Sequence, residues 1–384
     1  MFQKKLGLLV FILLFLLPGC QIRDISHTAA VLSIGIDEEN EQIKISAQVA
    51  KPSAPEESGS SSSEPQFIVI SETGKSMVEA ARKMSLTLPR IPLWTYTNTI
   101  IVSEDLAKKD ISFLIDTIAR NPNIRKNSFL IIARKTSPEE IMQAKSPLEP
   151  FPAQAIVNIL QMQEKTLGIY TAVSLGDFIK KASTMGIEPV VPQFTIINKK
   201  GKGLLSLEGS AVFLGTKMVG SFTEEESQGY RFLLPGLKRG GIINVPSPLN
   251  PQNLMVIELL NIQTKAKAEI KDGKILIKLT IDSEGNFYEQ NSTENLLNIK
   301  QVDNIEKATA EELKRKMQKS IKKAKDLKCD VFGWGKLVEN SSPSFWKEIK
   351  KDWLEIFPSV KSEIKVSFKL RRTYLTDKSF VFRK

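Results

Sequence analysis

The side chains best suited to covalent or metal chemistry are scarce in this chain. Two cysteines, Cys20 and Cys329, and one histidine, His27, supply every thiol and imidazole among its 384 residues. Catalytic triads that use histidine and zinc sites rich in histidine or cysteine need more of these groups close together. The sequence therefore excludes those sites, and it predicts neither a metal nor a cofactor. Cys329, with no second thiol beside it, is predicted to be a small buried apolar side chain.

Cys20 directly follows an apolar segment at the start of the chain. Lys4 and Lys5 precede the twelve residues from Leu6 to Leu17, which are nearly all apolar, and Pro18 and Gly19 then lead to the cysteine. A helix of this length reaches only about 18 Å, which is short of the roughly 30 Å hydrocarbon core of a bilayer. The layout is typical of a signal peptide, so residues 1–19 are predicted to be cleaved.

The residues Leu17-Pro18-Gly19-Cys20 resemble a bacterial lipobox, although Pro18 departs from the small residue usual at that position. In such a motif the cysteine receives a diacylglyceryl thioether and becomes the first residue of the mature chain. Two acyl chains anchor a protein stably, whereas one binds only marginally. Cys20 is therefore predicted to be the lipid attachment site; the alternative is an ordinary secretory signal with an incidental cysteine.

Two glycine-containing motifs fail as nucleotide sites. The stretch "TGKS" at 73–76 ends like a phosphate-binding loop, but Val69 stands where the first glycine is required. The "GWG" at 333–335 begins a dinucleotide fingerprint that Val338 does not complete. No local pair of acids marks a hydrolase, so no catalytic residue is predicted and the chain is not expected to be an enzyme.

The chain is basic, with 54 lysines and arginines against 43 acidic residues and a net charge of +11. Much of the excess lies on a predicted basic helix at 305–328, whose apolar stripe is Leu313, Met317, Ile321, Ala324 and Leu327. Such a helix could lie on anionic lipid, but the complete stripe favours packing on a sheet with a solvated basic face. No basic strand interleaved with aromatic residues appears, so nucleic acid is not expected as a partner.

Aromatic residues concentrate near the end of the chain. Trp346 and Trp353 are spaced to lie about two turns apart on one face of a helix, with Trp334 and Phe357 close by. Core packing is the simplest interpretation, and a surface for a partner is the alternative. Trp346, Trp353 and Phe357 are accordingly the candidate partner-binding residues.

The elements that must position these residues follow from hydrophobic periodicity. Alternating segments at 30–37 and 43–50 predict a hairpin, and helical and strand patterns then interleave up to "EPVVPQF" at 188–194. Ser137, Pro138 and Glu140 form a predicted capping box at a helix start. Later strands at 254–270 and 274–289 should pair through Asp272-Gly273, and "KSEIKVSFKLRRTYL" should be a closing strand.

We therefore predict three regions after the signal peptide. An N-terminal α/β domain spans 20–195 and contains a disordered loop at 51–66, which is rich in serine and proline. A small strand-rich middle domain spans 196–262, and a C-terminal α+β domain spans 263–384. The fold class is α+β with mainly antiparallel sheets.

A family resemblance extends over essentially the whole mature chain. It is carried by Cys20 with Asp24 and "SIGID", by "RNPNIR" with Arg120 and Arg125, by "GSAVFLGTKMVGSFTEEESQGY", and by "CDVFGWGK", "FWKEIKKDW" and "FPSVKSEIKVSFKLRRT". These features resemble the spore germination lipoprotein family, the C subunits of nutrient germinant receptors.

The resemblance implies an elongated protein of three mixed α and β domains, held by lipid on the outer face of the inner spore membrane. It also implies two integral membrane partners, the A and B subunits of the receptor, and no established catalytic residues. A rival hypothesis is a solute-binding lipoprotein of a transporter, which should show two similar α/β lobes around a ligand cleft.

Overall fold

The structure is a computed structural model, and it describes residues 27–52, 65–199, 202–292, 296 and 301–373. The predicted signal peptide, Cys20 and residues 53–64 of the predicted loop 51–66 lie outside these ranges.

The first sheet has nine strands and mixed direction. Its order is β3-β2-β1-β5-β6-β7-β8-β9, with β4 paired to β1. The central pairs β1–β5, β5–β6 and β6–β7 are parallel, as is the β1–β4 pair. The outer pairs are antiparallel, and they include the predicted hairpin of the first two strands. The strands are β1 (Thr28–Glu39), β2 (Gln42–Ala50), β3 (Phe67–Gly74), β4 (Ile91–Leu93), β5 (Thr99–Ser103), β6 (Phe129–Ala133), β7 (Val190–Lys199), β8 (Lys202–Leu214) and β9 (Lys217–Phe222).

Helices cover both faces of this sheet. They are α1 (Met77–Lys83), α2 (Glu104–Ala107), α3 (Ser112–Arg120), α4 (Pro138–Gln143), α5 (Pro152–Thr166) and α6 (Leu175–Ala182). Successive residues of a strand point to opposite faces. In β5, Ile100 packs with α1, α3 and α6, whereas Ile101 packs with α4 and α5 on the other side.

The second sheet has five strands, in the order β10-β12-β13-β14 with β11 paired to β12. They are β10 (Gly236–Arg239), β11 (Ile242–Pro246), β12 (Leu254–Lys271), β13 (Lys274–Gln290) and β14 (Lys361–Arg372). β12 and β13 turn at Asp272-Gly273, where both residues have positive φ, as this two-residue hairpin requires. β14 returns parallel to β13.

Among the described residues, five helices accompany the second sheet: α7 (Glu224–Leu233), α8 (Val302–Asp326), α9 (Trp334–Ser341), α10 (Pro343–Ile349) and α11 (Trp353–Ile356). α8 is the predicted basic helix, and its residues Leu313, Met317 and Ala324 are fully buried in the core beside the second sheet. Because a helix of this composition gains most of its stability from its apolar face, the stripe fixes which side of α8 turns inward.

The predicted class, α+β with mainly antiparallel sheets, is confirmed. The predicted domain limits at residues 195 and 262 fall within β7 and β12 respectively, and the division into three domains stays a prediction.

Candidate functional site

The candidate partner-binding rings lie together in the core beside the second sheet. Trp346 is on α10 and Trp353 on α11, and a 3-10 turn at Lys350–Asp352 separates the two short helices where the sequence predicted one helix. The two indole rings meet edge to face with centroids 5.2 Å apart. Trp346 and Trp353 are each 4% exposed and Phe357 is fully buried, so packing is their role in this conformation. Direct contact with a partner stays a prediction, and their burial disfavours it.

Asp330 organises these aromatic residues through hydrogen bonds. Its carboxylate accepts from the backbone N–H of Trp334 at 3.0 Å, from that of Gly335 at 2.7 Å, and from the indole Nε1 of Trp353 at 3.0 Å. The two backbone groups belong to the first turn of α9, where N–H groups have no partner within the helix. Asp330 is 1% exposed, and burial raises its pKa to about 6 although these donors favour the charged form.

The same segment joins the two sheets. The backbone N–H of Glu188, two residues before β7, donates to the backbone carbonyl of Asp330 at 2.9 Å. Gly186 packs directly against Gly335, and a Cβ added at Gly335 would lie 2.5 Å from the Gly186 Cα. We call Gly186, Glu188, Asp330, Gly335 and Trp353 the Asp330 junction. It fixes α9 and α11 against the start of β7.

Glu188 is a second perturbed carboxyl in the junction. Its side chain accepts a 2.6 Å hydrogen bond from the backbone N–H of Gly215, in the turn between β8 and β9. Burial raises the pKa of Glu188 to about 7, and the nearby Asp330 carboxylate acts in the same direction. Both junction carboxyls therefore favour their protonated forms more than solvated carboxyls do.

Cys329, next to Asp330, is fully buried, which confirms the prediction for this residue. Burial raises the pKa of its thiol to about 12, with the carboxylates of Glu188 and Asp330 adding to the effect. A thiol that stays protonated at neutral pH is a poor nucleophile.

Several basic side chains of α8 form ion pairs or hydrogen bonds within the chain. Arg315 forms ion pairs with Glu312 and Glu225, and Lys319 also pairs with Glu225. Lys325 donates to the backbone carbonyl of Val360 at 2.6 Å. These contacts support the packed-helix interpretation of α8.

Sequence reasoning missed α7, although Thr223 and Glu226 form a capping box at its start. α7 crosses α8 at Gly229, where an added Cβ would collide with the backbone carbonyl of Lys316 and with Ser320 Oγ. Ser320 also donates its hydroxyl to the backbone carbonyl of Glu226 at 2.5 Å. The crossing therefore depends on small residues on both helices.

Arg231 of α7 was also missed, and it is 1% exposed. Its Nη2 donates to the backbone carbonyl of Arg239 at 2.9 Å and, more weakly, to that of Glu164 at 3.4 Å. Burial lowers the pKa of this guanidinium. Arg231 thus ties α7 to the end of α5 and to β10.

In the described ranges, no group of three or more acidic, histidine or cysteine side chains could hold a metal ion. Across the same residues, no helix combines the length and apolarity needed to cross a membrane.

Two family models match this chain one after the other. Residues 21–196 match the spore germination protein N-terminal domain, and residues 208–374 match the C-terminal domain described as spore germination B3/GerAC like. The chain belongs to this GerAC-like family of spore germination proteins. The first model ends within β7 and the second begins within β8. The first covers Gly186 and Glu188 of the Asp330 junction, and the second covers Asp330, Gly335 and Trp353.

Curated relatives in the family are distant but of full length. The chain is 26% identical to spore germination protein KC of Bacillus subtilis (strain 168), with 96% of each chain covered. It is 23% identical to spore germination protein B3 of the same organism, with 94% of this chain and 96% of the relative covered. The crystal structure of the GerBC protein matches with a TM-score of 0.58 at 18% identity, over 88% of this chain and 96% of that one. That match shows a shared fold.

Proposed function

We propose that this chain is the lipid-anchored C subunit of a spore nutrient germinant receptor. One observation carries the proposal: the two GerAC-like domain models follow each other over residues 21–196 and 208–374, directly behind the lipobox-like Leu17-Pro18-Gly19-Cys20. In this proposal a diacylglyceryl group on Cys20 holds the protein on the outer face of the inner spore membrane.

The proposed partners are the integral membrane A and B subunits of the receptor. A lipid tether confines the chain to a thin layer at the membrane, which raises its effective concentration for such partners. Modest protein contacts are then sufficient for assembly. The proposal assigns the chain a binding role and no catalytic residue.

The buried aromatic residues contribute to this role by shaping a surface. Trp346, Trp353 and Phe357 pack the short helices α10 and α11 into the core, and Leu354 of α11 is 38% exposed to solvent. We propose that the outer side of these two helices is part of the partner surface.

The solute-binding alternative receives no support from the two sheets. That hypothesis expects two similar lobes, but one sheet has nine strands and the other five, with different strand orders. Helices cover both faces of the first sheet, whereas α8 and its neighbours pack beside the second.

The experiment that tests the anchor compares Cys20→Ala with Cys329→Ala in spores. Cys20→Ala should move the protein out of the membrane fraction and abolish the nutrient response of this receptor, because no thioether can form. Cys329→Ala is the control, because this buried thiol plays no part in anchoring and the variant should stay in the membrane fraction. A normal nutrient response in the Cys20→Ala spores would overturn the anchoring proposal.

A further inference from the structure

A large cavity with a partly apolar lining opens on the first sheet, on the side of α1 and α3. Its volume is ≈ 890 Å³, within the range of sites for small ligands. Its walls come from β1, β2, β4 and the two helices, and its apolar lining includes Ile34, Ile45, Met77, Leu88, Trp94 and Ile118.

Exposed apolar side chains surround this cavity. Leu86 is 82% exposed, Ile91 53% and Val78 48%. Val78 and Ile91 line the cavity itself, and Leu86 lines an adjacent depression that shares Val78, Arg82 and Ser85 with it. A cluster of exposed apolar residues at the rim of a partly apolar cavity is typical of an interaction surface. We call Val78, Leu86 and Ile91 the rim patch.

The charges at the cavity are of one sign. Arg82 and Arg90 line it, and no aspartate or glutamate is among its described lining residues. Arginine binds phosphate oxygens through several N–H groups at once. Uncharged polar side chains also line the cavity, namely Ser85, Thr117, Asn121 and Asn123. Apolar side chains beside two arginines, with no acid, match an anionic phospholipid, in which an acyl chain lies next to a phosphate.

The cavity also lies where the chain emerges from its N-terminal segment. His27, the first residue that the structure describes, lines it. His27 lies seven residues after Cys20, and a chain of seven residue steps spans at most about 25 Å when fully extended. A lipid on Cys20 therefore keeps the cavity within about 25 Å of the bilayer surface.

We infer that the rim patch docks on the bilayer, with a phospholipid acyl chain entering the cavity and its phosphate held by Arg82 and Arg90. This inference rests on the lipid anchor in the proposed function. It gives the anchored protein a fixed orientation: the α1 and α3 side of the first sheet faces the lipid, while α4 and α5 face away.

The test uses the full-length lipidated protein reconstituted in vesicles that contain phosphatidylglycerol. An environment-sensitive fluorophore is attached to Leu86→Cys, and Leu148→Cys serves as the matched control. Leu148 is 92% exposed and follows α4 on the opposite side of the sheet. Only the introduced thiol should react, because lipid blocks Cys20 and Cys329 is fully buried.

If the rim patch docks, the fluorophore on Leu86→Cys should show a blue-shifted emission. Quenchers placed on the acyl chains should remove at least about half of its fluorescence. The Leu148 probe should remain in water. Arg82→Glu combined with Arg90→Glu should abolish the Leu86 response while the protein still floats with the vesicles.

Several results would overturn the inference. A Leu86 probe that stays in water while the protein floats would leave the anchor intact but refute docking. A blue shift that appears only when the membrane subunits are reconstituted as well would assign the rim patch to a protein partner. Failure of the lipidated protein to float would refute the anchor itself, and docking with it.

Discussion

The indole Nε1 of Trp353 donates a 3.0 Å hydrogen bond to the carboxylate of Asp330, which lies 23 residues earlier in the chain. The same carboxylate accepts the first two backbone N–H groups of α9. One buried side chain thereby ties the segment after α8 to the starts of α9 and α11. Because Glu188 is bonded to the backbone of Asp330, this local arrangement also sets how the two sheets meet.

Replacing Asp330 should strongly destabilise the protein. Asp330→Ala leaves the N–H groups of Trp334, Gly335 and Trp353 without their acceptor in the core, so we expect a loss of about 2–4 kcal/mol in the free energy of unfolding. Urea denaturation followed by tryptophan fluorescence measures it. Asp352→Ala, which removes an exposed carboxylate, is the control and should change stability by less than about 0.5 kcal/mol. Equal losses in the two variants would contradict the role given to Asp330.

The two junction carboxyls should make stability fall as pH rises. Their folded-state pKa values, about 6 for Asp330 and about 7 for Glu188, lie above those of the unfolded chain, so the native state binds more protons between about pH 4 and 7. Their stabilising contribution is complete below the unfolded pKa and is lost as pH rises through the folded values.

The Glu188→Gln variant shows how much of this pH dependence of stability comes from Glu188. The amide oxygen can still accept from Gly215, but the side chain no longer ionises. We expect the variant to gain at most about 3 kcal/mol over the wild type at pH 8, and much less at pH 4.5. Unfolding curves at both pH values measure this difference, and parallel pH profiles for the two proteins would rule out a titrating Glu188.

The crossing of α7 and α8 should tolerate no side chain at Gly229. Gly229→Ala places a methyl group against the Lys316 carbonyl and Ser320 Oγ, so the helices must separate at a cost of about 1–3 kcal/mol or more. Gly176→Ala is the matched control, because its nearest contact would be 3.3 Å and its helix is short and peripheral to this crossing. Thermal unfolding compares the two. A Gly229→Ala protein as stable as the control would show that the helices do not pack this closely.

Arg231 should not be replaceable by lysine. Its guanidinium reaches the carbonyls of Arg239 and Glu164 from one planar group, whereas a lysine ammonium is more strongly hydrated and costs more to bury. We expect Arg231→Lys to destabilise the protein by about 1–3 kcal/mol. The exposed Arg82→Lys should lie within about 0.5 kcal/mol of the wild type, as measured by urea denaturation. If Arg231→Lys were as stable as the wild type, a positive charge at this position would be enough for stability without the guanidinium group.

Patterns within short segments predicted the local elements well. The capping box of Ser137 and Glu140, the β12–β13 hairpin at Asp272-Gly273 and the apolar stripe of α8 all depend on neighbours in the chain or on one period of repetition. The same locality explains the error at Trp346 and Trp353. Their spacing fits one helix, but a 3-10 turn divides it and still brings the rings together.

Long-range relationships could not be read from such patterns. The parallel pairing of β1 with β5 joins segments more than sixty residues apart, and nothing in either segment specifies the other. Asp330 is an acid among apolar residues in "CDVFGWGK", and this pattern signals a buried carboxylate that accepts hydrogen bonds. The pattern does not identify the donors, one of which is the indole of Trp353, 23 residues later. Arg231 gave no local signal, since its partners lie on α5 and β10.

In the proposed function this chain works as a subunit assembled with membrane partners. The decisive experiment is affinity purification of the tagged, lipidated protein from gently solubilised inner membranes of spores. We expect two integral membrane proteins, encoded beside this chain, to come with it, and we expect Cys20→Ala to reduce their recovery. Recovery of a transporter permease, or of the protein alone with a small molecule bound, would refute the receptor-subunit role and favour a solute-binding lipoprotein.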